Sequence, residues 1–238
     1  MDVSKDCPRV IDLAASPSDA LVVTASATKF YDSLEAGKGN LTTWSLQNGK
    51  RIQEFSIESA KTQINCVVFN HNGKMLMTGG ADGMIRLFDM HTYSPIMGWP
   101  AHDGQVSCVR FNTDETTVAS CGLDGQIIEW SLHRVGKKIH TIPMVNQEGF
   151  TKWPVTRCEV ALESQNSLFL TTCAPPDQVA FVYEATLPTP VQLIEGHTGV
   201  VTTLDWHLSL QLCATGSADN TTRVWQLKER NVPSANEV

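Results

Sequence analysis

One pattern in this 238-residue chain recurs at fixed offsets, and it limits the fold more tightly than any composition figure. Ala101–Trp130 superposes without a gap on Gly196–Trp225 at an offset of 95. His102 falls on His197, Val106 on Val201, Val109 on Leu204, Phe111 on Trp206, Ser120 on Thr215, Asp124 on Asp219 and Trp130 on Trp225. Moving back 42 positions reaches Ile64, Val67, Phe69, Thr78, Asp82 and Phe88, again without a gap. Two looser copies complete the series. Val10, Leu13, Ala15 and Thr24 lead to Trp44 after an insertion from Ala27 to Asn40, and Val155, Cys158, Val160, Thr172 and Asp177 lead to Tyr183. The closing aromatics stand at 44, 88, 130, 183 and 225, close to the ~40 to 45 residues of a four-stranded repeat.

Within a copy the apolar residues alternate with period two between turn signals, which is strand patterning. INCVVF, MLMTGG, MIRLFD and SPIMGW are four strands in order, separated by turns such as His71-Asn72-Gly73 and Asp82-Gly83, where glycine supplies a positive φ. No segment keeps a 3.6-residue apolar period, so the chain reads as all-β. One four-stranded unit cannot bury both of its faces, but units stacked radially cover one another.

The pattern of Gly-His or Ala-His, an apolar strand, Thr/Ser-Gly-x-x-Asp and a closing aromatic resembles the WD-repeat β-propeller family over about residues 10 to 227. The resemblance implies antiparallel four-stranded blades, about five of them, as an incomplete part of a seven-bladed ring; closure with five blades is the alternative. The blades are expected at approximately 10–56, 64–99, 106–143, 155–195 and 201–227, between tails at 1–9 and 228–238. The last copy stops after its third strand.

His102, Ser120, Asp124 and Trp130, and again His197, Thr215, Asp219 and Trp225, contain the parts of a nucleophilic triad. In the family these four positions form a structural hydrogen-bonded chain, in which one hydroxyl and one carboxylate satisfy a buried imidazole and a buried indole. The other copies degrade in a graded way: the second has Ala60 and Phe88 in place of histidine and tryptophan, and the fourth closes on Tyr183. Burying an aromatic of ~150 to 250 Å² is worth about 4 to 6 kcal/mol, against about 1 kcal/mol for one hydrogen bond, so the ring should outlast the polar chain. That ordering is the mark of architecture. No G-x-S-x-G, P-loop, H-E-x-x-H or G-x-G-x-x-G occurs, and no enzyme, cofactor or metal is expected.

A net charge of −7 with no run of lysine or arginine argues against nucleic-acid binding, while an acidic protein partner remains open through a local basic patch. The seven cysteines lack any CxxC pair and lie mostly in apolar alternating segments, as small reduced hydrophobes do. Met75, Met77, Met84, Met90 and Met97 lie on or beside strands and read as core filling. No apolar run is long enough to span a membrane and no secretory signal opens the sequence, so a cytoplasmic protein is expected.

Departures from the 42-residue unit mark the loops that can carry function. Ala27–Asn40 holds Phe30 and Tyr31, and Val145–Pro154 holds Phe150, Lys152 and Trp153. Exposed aromatics beside charge are common interface anchors, so these five are the candidate partner-binding residues, the alternative being long loops packed on their own blades. No closing aromatic is followed by aspartate and then arginine two residues on, the signature of one ubiquitin-ligase adaptor contact. Resemblance to an endosomal branch of the family further implies a non-catalytic scaffold, peripheral on early and late endosomes only through its partners. Those partners are a second WD-repeat protein, the class III phosphatidylinositol 3-kinase complex and a late-endosomal Rab GTPase. A general WD-repeat adaptor in another intracellular complex is the alternative.

Overall fold

The computed structural model describes residues 9–27, 39–57, 62–144, 155–163, 166–173, 178–184, 187, 189–207, 210 and 212–226. They form nineteen strands in five antiparallel sheets. Sheet one is β1 (Arg9–Ala15), β2 (Leu21–Ala27), β3 (Gly39–Ser45) and β4 (Arg51–Glu54). Sheet two is β5 (Ile64–Phe69), β6 (Met75–Gly80), β7 (Met84–Asp89) and β8 (Ser94–Pro100). Sheet three is β9 (Val106–Phe111), β10 (Thr117–Gly122), β11 (Gln126–Ser131) and β12 (Lys137–Pro143). Sheet four is β13 (Val155–Glu163), β14 (Asn166–Cys173), β15 (Ala180–Glu184) and β16 (Gln192–Ile194). Sheet five has three strands among the described residues: β17 (Val201–His207), β18 (Leu212–Ser217) and β19 (Thr222–Gln226).

Each sheet is an up-and-down meander in chain order, with every strand antiparallel to its sequence neighbour. Gly73 and Gly83 take φ of +71° and +77° in the two turns of sheet two singled out from sequence. The first strands pack in succession, β1 on β5, β5 on β9, β9 on β13 and β13 on β17, which is the radial stacking of propeller blades. The core therefore lies between sheets. Cys66, Met77, Ile85 and Trp99 of sheet two pack against Val106, Val109, Ile128 and Trp130 of sheet three. Cys108, Ala119 and Ile127 of sheet three face Phe181 and Tyr183 of sheet four.

The position before each closing aromatic reports whether a next sheet covers that face. Thr43, Leu87, Glu129 and Val182 are 0%, 3%, 6% and 2% exposed, whereas Val224 is 68% exposed. The fifth sheet thus presents an uncovered face among the described residues, as a blade does where a ring is incomplete. Cys66, Cys108, Cys121 and Cys213 are buried free thiols. Met77 and Met90 are buried in the cores, and Met75 and Met97 pack against them.

One sequence alignment is corrected by register. Trp130 pairs with Val118, two residues before Ser120, and Trp225 pairs with Cys213, two before Thr215. Tyr183 pairs with Phe169, so the backbone equivalent of Ser120 in sheet four is Thr171 and not Thr172. The two threonines are adjacent and share the same chemistry, so only the pairing register separates them.

Candidate functional site

His102 enters from the loop before β9, Ser120 lies in β10, Asp124 in the turn after β10 and Trp130 in β11. Trp130 Nε1–H donates to Ser120 Oγ at 2.8 Å, and the same hydroxyl meets His102 Nε2 at 2.8 Å. His102 Nδ1 lies 3.0 and 3.1 Å from the Asp124 carboxylate oxygens. With the proton on Nδ1 the chain is fully satisfied: indole to hydroxyl, hydroxyl to imidazole, imidazole to carboxylate. Asp103 and Gln126 donate backbone N–H to the remaining lone pairs of Asp124. Burial pushes the His102 pKa down while Asp124 opposes it, and the net direction is down, which favours the neutral ring that this chain requires.

Gly122 allows the ring to come so close. A Cβ there would lie 2.4 Å from His102 Nδ1 and 2.6 Å from Asp124 Oδ1. The fifth sheet has Ser217 at the equivalent position, whose hydroxyl donates to Gly199 O and accepts from Asp219 N–H.

The second chain repeats the geometry. Trp225 Nε1–H donates to Thr215 Oγ1 at 2.7 Å, His197 Nε2 meets that oxygen at 2.8 Å, and His197 Nδ1 meets Asp219 Oδ2 at 2.8 Å. Thr221 adds a hydroxyl donor to Asp219 at 2.7 Å. That bond, then the His197 ring and the N–H groups of Thr198 and Thr221, outweigh desolvation and hold the Asp219 carboxyl far below the ordinary carboxylate range.

Neither chain offers a nucleophile. Ser120 and Thr215 are 0% and 1% exposed, and each oxygen already accepts an indole N–H, so no carbonyl carbon can approach along its lone pair. Among the described residues no group of three or more histidine, cysteine or acidic side chains could hold a metal ion.

Three polar residues that the sequence pattern did not single out complete the scaffold. In sheet two, Arg86 donates to both oxygens of Asp82, taking the part that imidazole plays elsewhere. Burial raises the Asp82 pKa, and the Arg86 bonds and the Met84 N–H more than reverse it. Arg86 and Arg223 occupy equivalent positions in the repeat, but in sheet five the Asp219 carboxylate is met by His197 and Thr221. Glu115, in a turn with φ of +54°, reaches sheet two and accepts from His71 N–H, the His71 ring and the Asn70 amide. Asp12 Oδ2 accepts the Val67 N–H at 2.9 Å, joining sheets one and two. In sheet one, Trp44 Nε1–H keeps its bond to Thr24 Oγ1 at 2.8 Å.

The candidate partner-binding residues Phe30, Tyr31, Phe150, Lys152 and Trp153 lie outside the described residues. The strands that frame the first insertion extend to Ala27 and resume at Gly39.

The sequence matches two family models: the WD40 domain of anaphase-promoting complex subunit 4 over residues 34–114, and the WD domain, G-beta repeat, over residues 188–226. It is similar to WD repeat-containing protein 91 of Gallus gallus, 32% identical with 92% of this chain and 33% of that protein aligned. The Bos taurus protein of that name is 33% identical over 98% of this chain and 35% of its own length. WD repeat-containing protein 91 homolog of Dictyostelium discoideum is 33% identical over 96% and 29%. The chain spans about a third of the length of these curated relatives.

Proposed function

The chain belongs to the WD-repeat β-propeller family, and on that premise we propose that it is a non-catalytic protein-interaction scaffold of endosome membranes. In this reading it promotes early-to-late endosome conversion by restraining class III phosphatidylinositol 3-kinase and engaging a late-endosomal Rab GTPase. It is cytoplasmic and reaches the membrane through those partners and a second WD-repeat protein. The observation that supports it is similarity to WD repeat-containing protein 91 along nearly the whole chain, from bird and mammal to Dictyostelium. The buried tetrads fit a scaffold, since their polar groups are consumed by one another.

The partner surface is assigned to the two long loops, with Trp153 as the principal anchor beside Lys152, Phe150, Tyr31 and Phe30. Strands end on both sides of each insertion, the placement from which scaffolds hold recognition segments. Capture of a late-endosomal Rab locked in its GTP state, by the full chain and by Tyr31→Ala and Trp153→Ala variants, tests the reading. Loss of capture by folded variants supports it; capture that is absent from the unaltered protein, or unchanged in both variants, defeats it. The match of residues 34–114 to the WD40 domain of a subunit of another complex favours a second reading, a general WD-repeat adaptor.

A further inference from the structure

The outer strands of the sheets are not guarded alike. A strand at a sheet edge exposes unpaired N–H and C=O groups, and proteins protect such edges by shortness, proline, bulges or charge. β4 has four residues and β16 three, while β8 carries Pro95 and Pro100. β12 runs for seven residues and has no proline before its last one, and it is terminal in the order β12-β11-β10-β9.

Charge and a bulge guard this edge instead. Arg134, Lys137 and Lys138 are exposed, and no aspartate or glutamate occurs between Glu129 and Glu148. None of the three makes an ion pair among the described residues; Lys138 Nζ lies 5.4 Å from the Trp130 ring centroid. The patch is positive on a chain whose net charge is −7. Beside it Val135 and Ile139 are 49% and 42% exposed. Ile139 is the extra residue where the register shifts between the Glu129–His140 and Trp130–Lys138 pairs.

The backbone beyond the bulge is open to pairing. Met144 N–H donates inward to Gly125 O at 2.8 Å. Alternation along the strand then turns the Ile142 N–H inward and the Thr141 N–H outward, and it puts Pro143 at an outward position where a missing donor breaks no bond to β11.

We propose that the outer edge of β12 docks an extended acidic segment of a partner protein. The segment adds as a fifth strand, with carboxylates on Arg134, Lys137 and Lys138 and an apolar side chain on Val135 or Ile139. The same positive charge repels the β12 edge of a second copy, so one device rejects self-pairing and accepts an acidic strand. This surface is independent of the loop residues proposed above and of the endosomal reading.

Fluorescence anisotropy of a labelled probe peptide alternating glutamate with valine or threonine, titrated with the full chain, tests the proposal. A matched probe with lysine in place of glutamate is the control. The acidic probe should bind with an affinity that falls as salt rises, and the lysine probe should not bind. Joint Arg134→Glu, Lys137→Glu and Lys138→Glu substitution should weaken binding by about tenfold or more. If that variant unfolds by circular dichroism, Lys137→Gln with Lys138→Gln takes its place, with a smaller loss in the same direction. Thr141→Pro keeps every charge and the ladder to β11 but blocks strand addition, so it too should weaken binding. Unaltered affinity in Thr141→Pro, or no binding of the acidic probe, overturns the proposal. Binding to phosphatidylserine-containing vesicles without binding of the probe assigns the patch to a membrane and overturns it equally.

Discussion

Replacing Ser120 by alanine removes one oxygen and strands two buried nitrogens. The hydroxyl is fully buried, accepts the Trp130 indole N–H at 2.8 Å and bonds His102 Nε2 at 2.8 Å. Leaving one buried polar group unsatisfied costs about 1 to 3 kcal/mol, so two give about 2 to 4 kcal/mol after partial relaxation. No methyl group is lost, so no cavity contribution obscures the result. Thr215→Val makes the matching deletion in the fifth sheet, where Trp225 is only partly buried and solvent can take over its N–H. Its cost should be smaller by about 1 kcal/mol. Urea unfolding followed by far-UV circular dichroism measures both, provided that the slope m is unchanged. Combining Ser120→Ala with Trp130→Phe should cost less than the sum of the single changes by about 1 kcal/mol, since the indole donor is then absent. A Ser120→Ala protein within about 0.5 kcal/mol of the parent, or strict additivity with Trp130→Phe, would refute the hydrogen-bonded chain as a source of stability.

Three further outcomes follow from the same contacts. Arg86→Met should destabilise sheet two by about 1 kcal/mol at neutral pH. Because the folded Asp82 pKa lies below its ordinary value of 3.8, that contribution is full above this value and fades as pH falls through the lower folded value, so urea midpoints of variant and parent should converge in acid. His102 has the same sign in a higher pH window and from a different cause: burial holds its folded pKa below the ordinary 6.5, so the unfolded chain takes up a proton that the folded ring refuses. Stability should fall as pH drops below 6.5, with a smaller drop in the melting temperature of His102→Gln. Glu115→Ala should cost about 1 to 2 kcal/mol in urea titrations by removing charge-assisted bonds between sheets two and three.

The repeat was legible because the copies share the same physical demand: short strands alternating with period two, turns between them and a closing ring that must be apolar. Phe88 at 0% exposure and Tyr183 at 2% stand where the alignment put them, although both lack the indole N–H. The two tetrads were equally legible in position, since His102 and Asp124 are separated by the same 22 residues as His197 and Asp219. What the alignment could not resolve was Thr171 against Thr172, because both are threonines and only strand pairing says which one holds the register position of Ser120. Nor could it pair Glu115 with His71 across 44 residues, since that contact depends on how one sheet stacks on the next.

Local sequence by itself determined strands, turns and the identity of the polar chain, for these depend on period-two alternation, glycine at positive φ and residue chemistry within about forty positions. Tertiary structure alone decided which equivalent residues are covered. Leu87 and Val224 hold the same place in the repeat, yet one is 3% exposed and the other 68%, because burial belongs to the neighbouring sheet and not to the residue. Charge behaves in the same way: Lys137 and Lys138 are two ordinary lysines in the sequence, and they become a guarded edge only because no strand lies beyond β12 among the described residues.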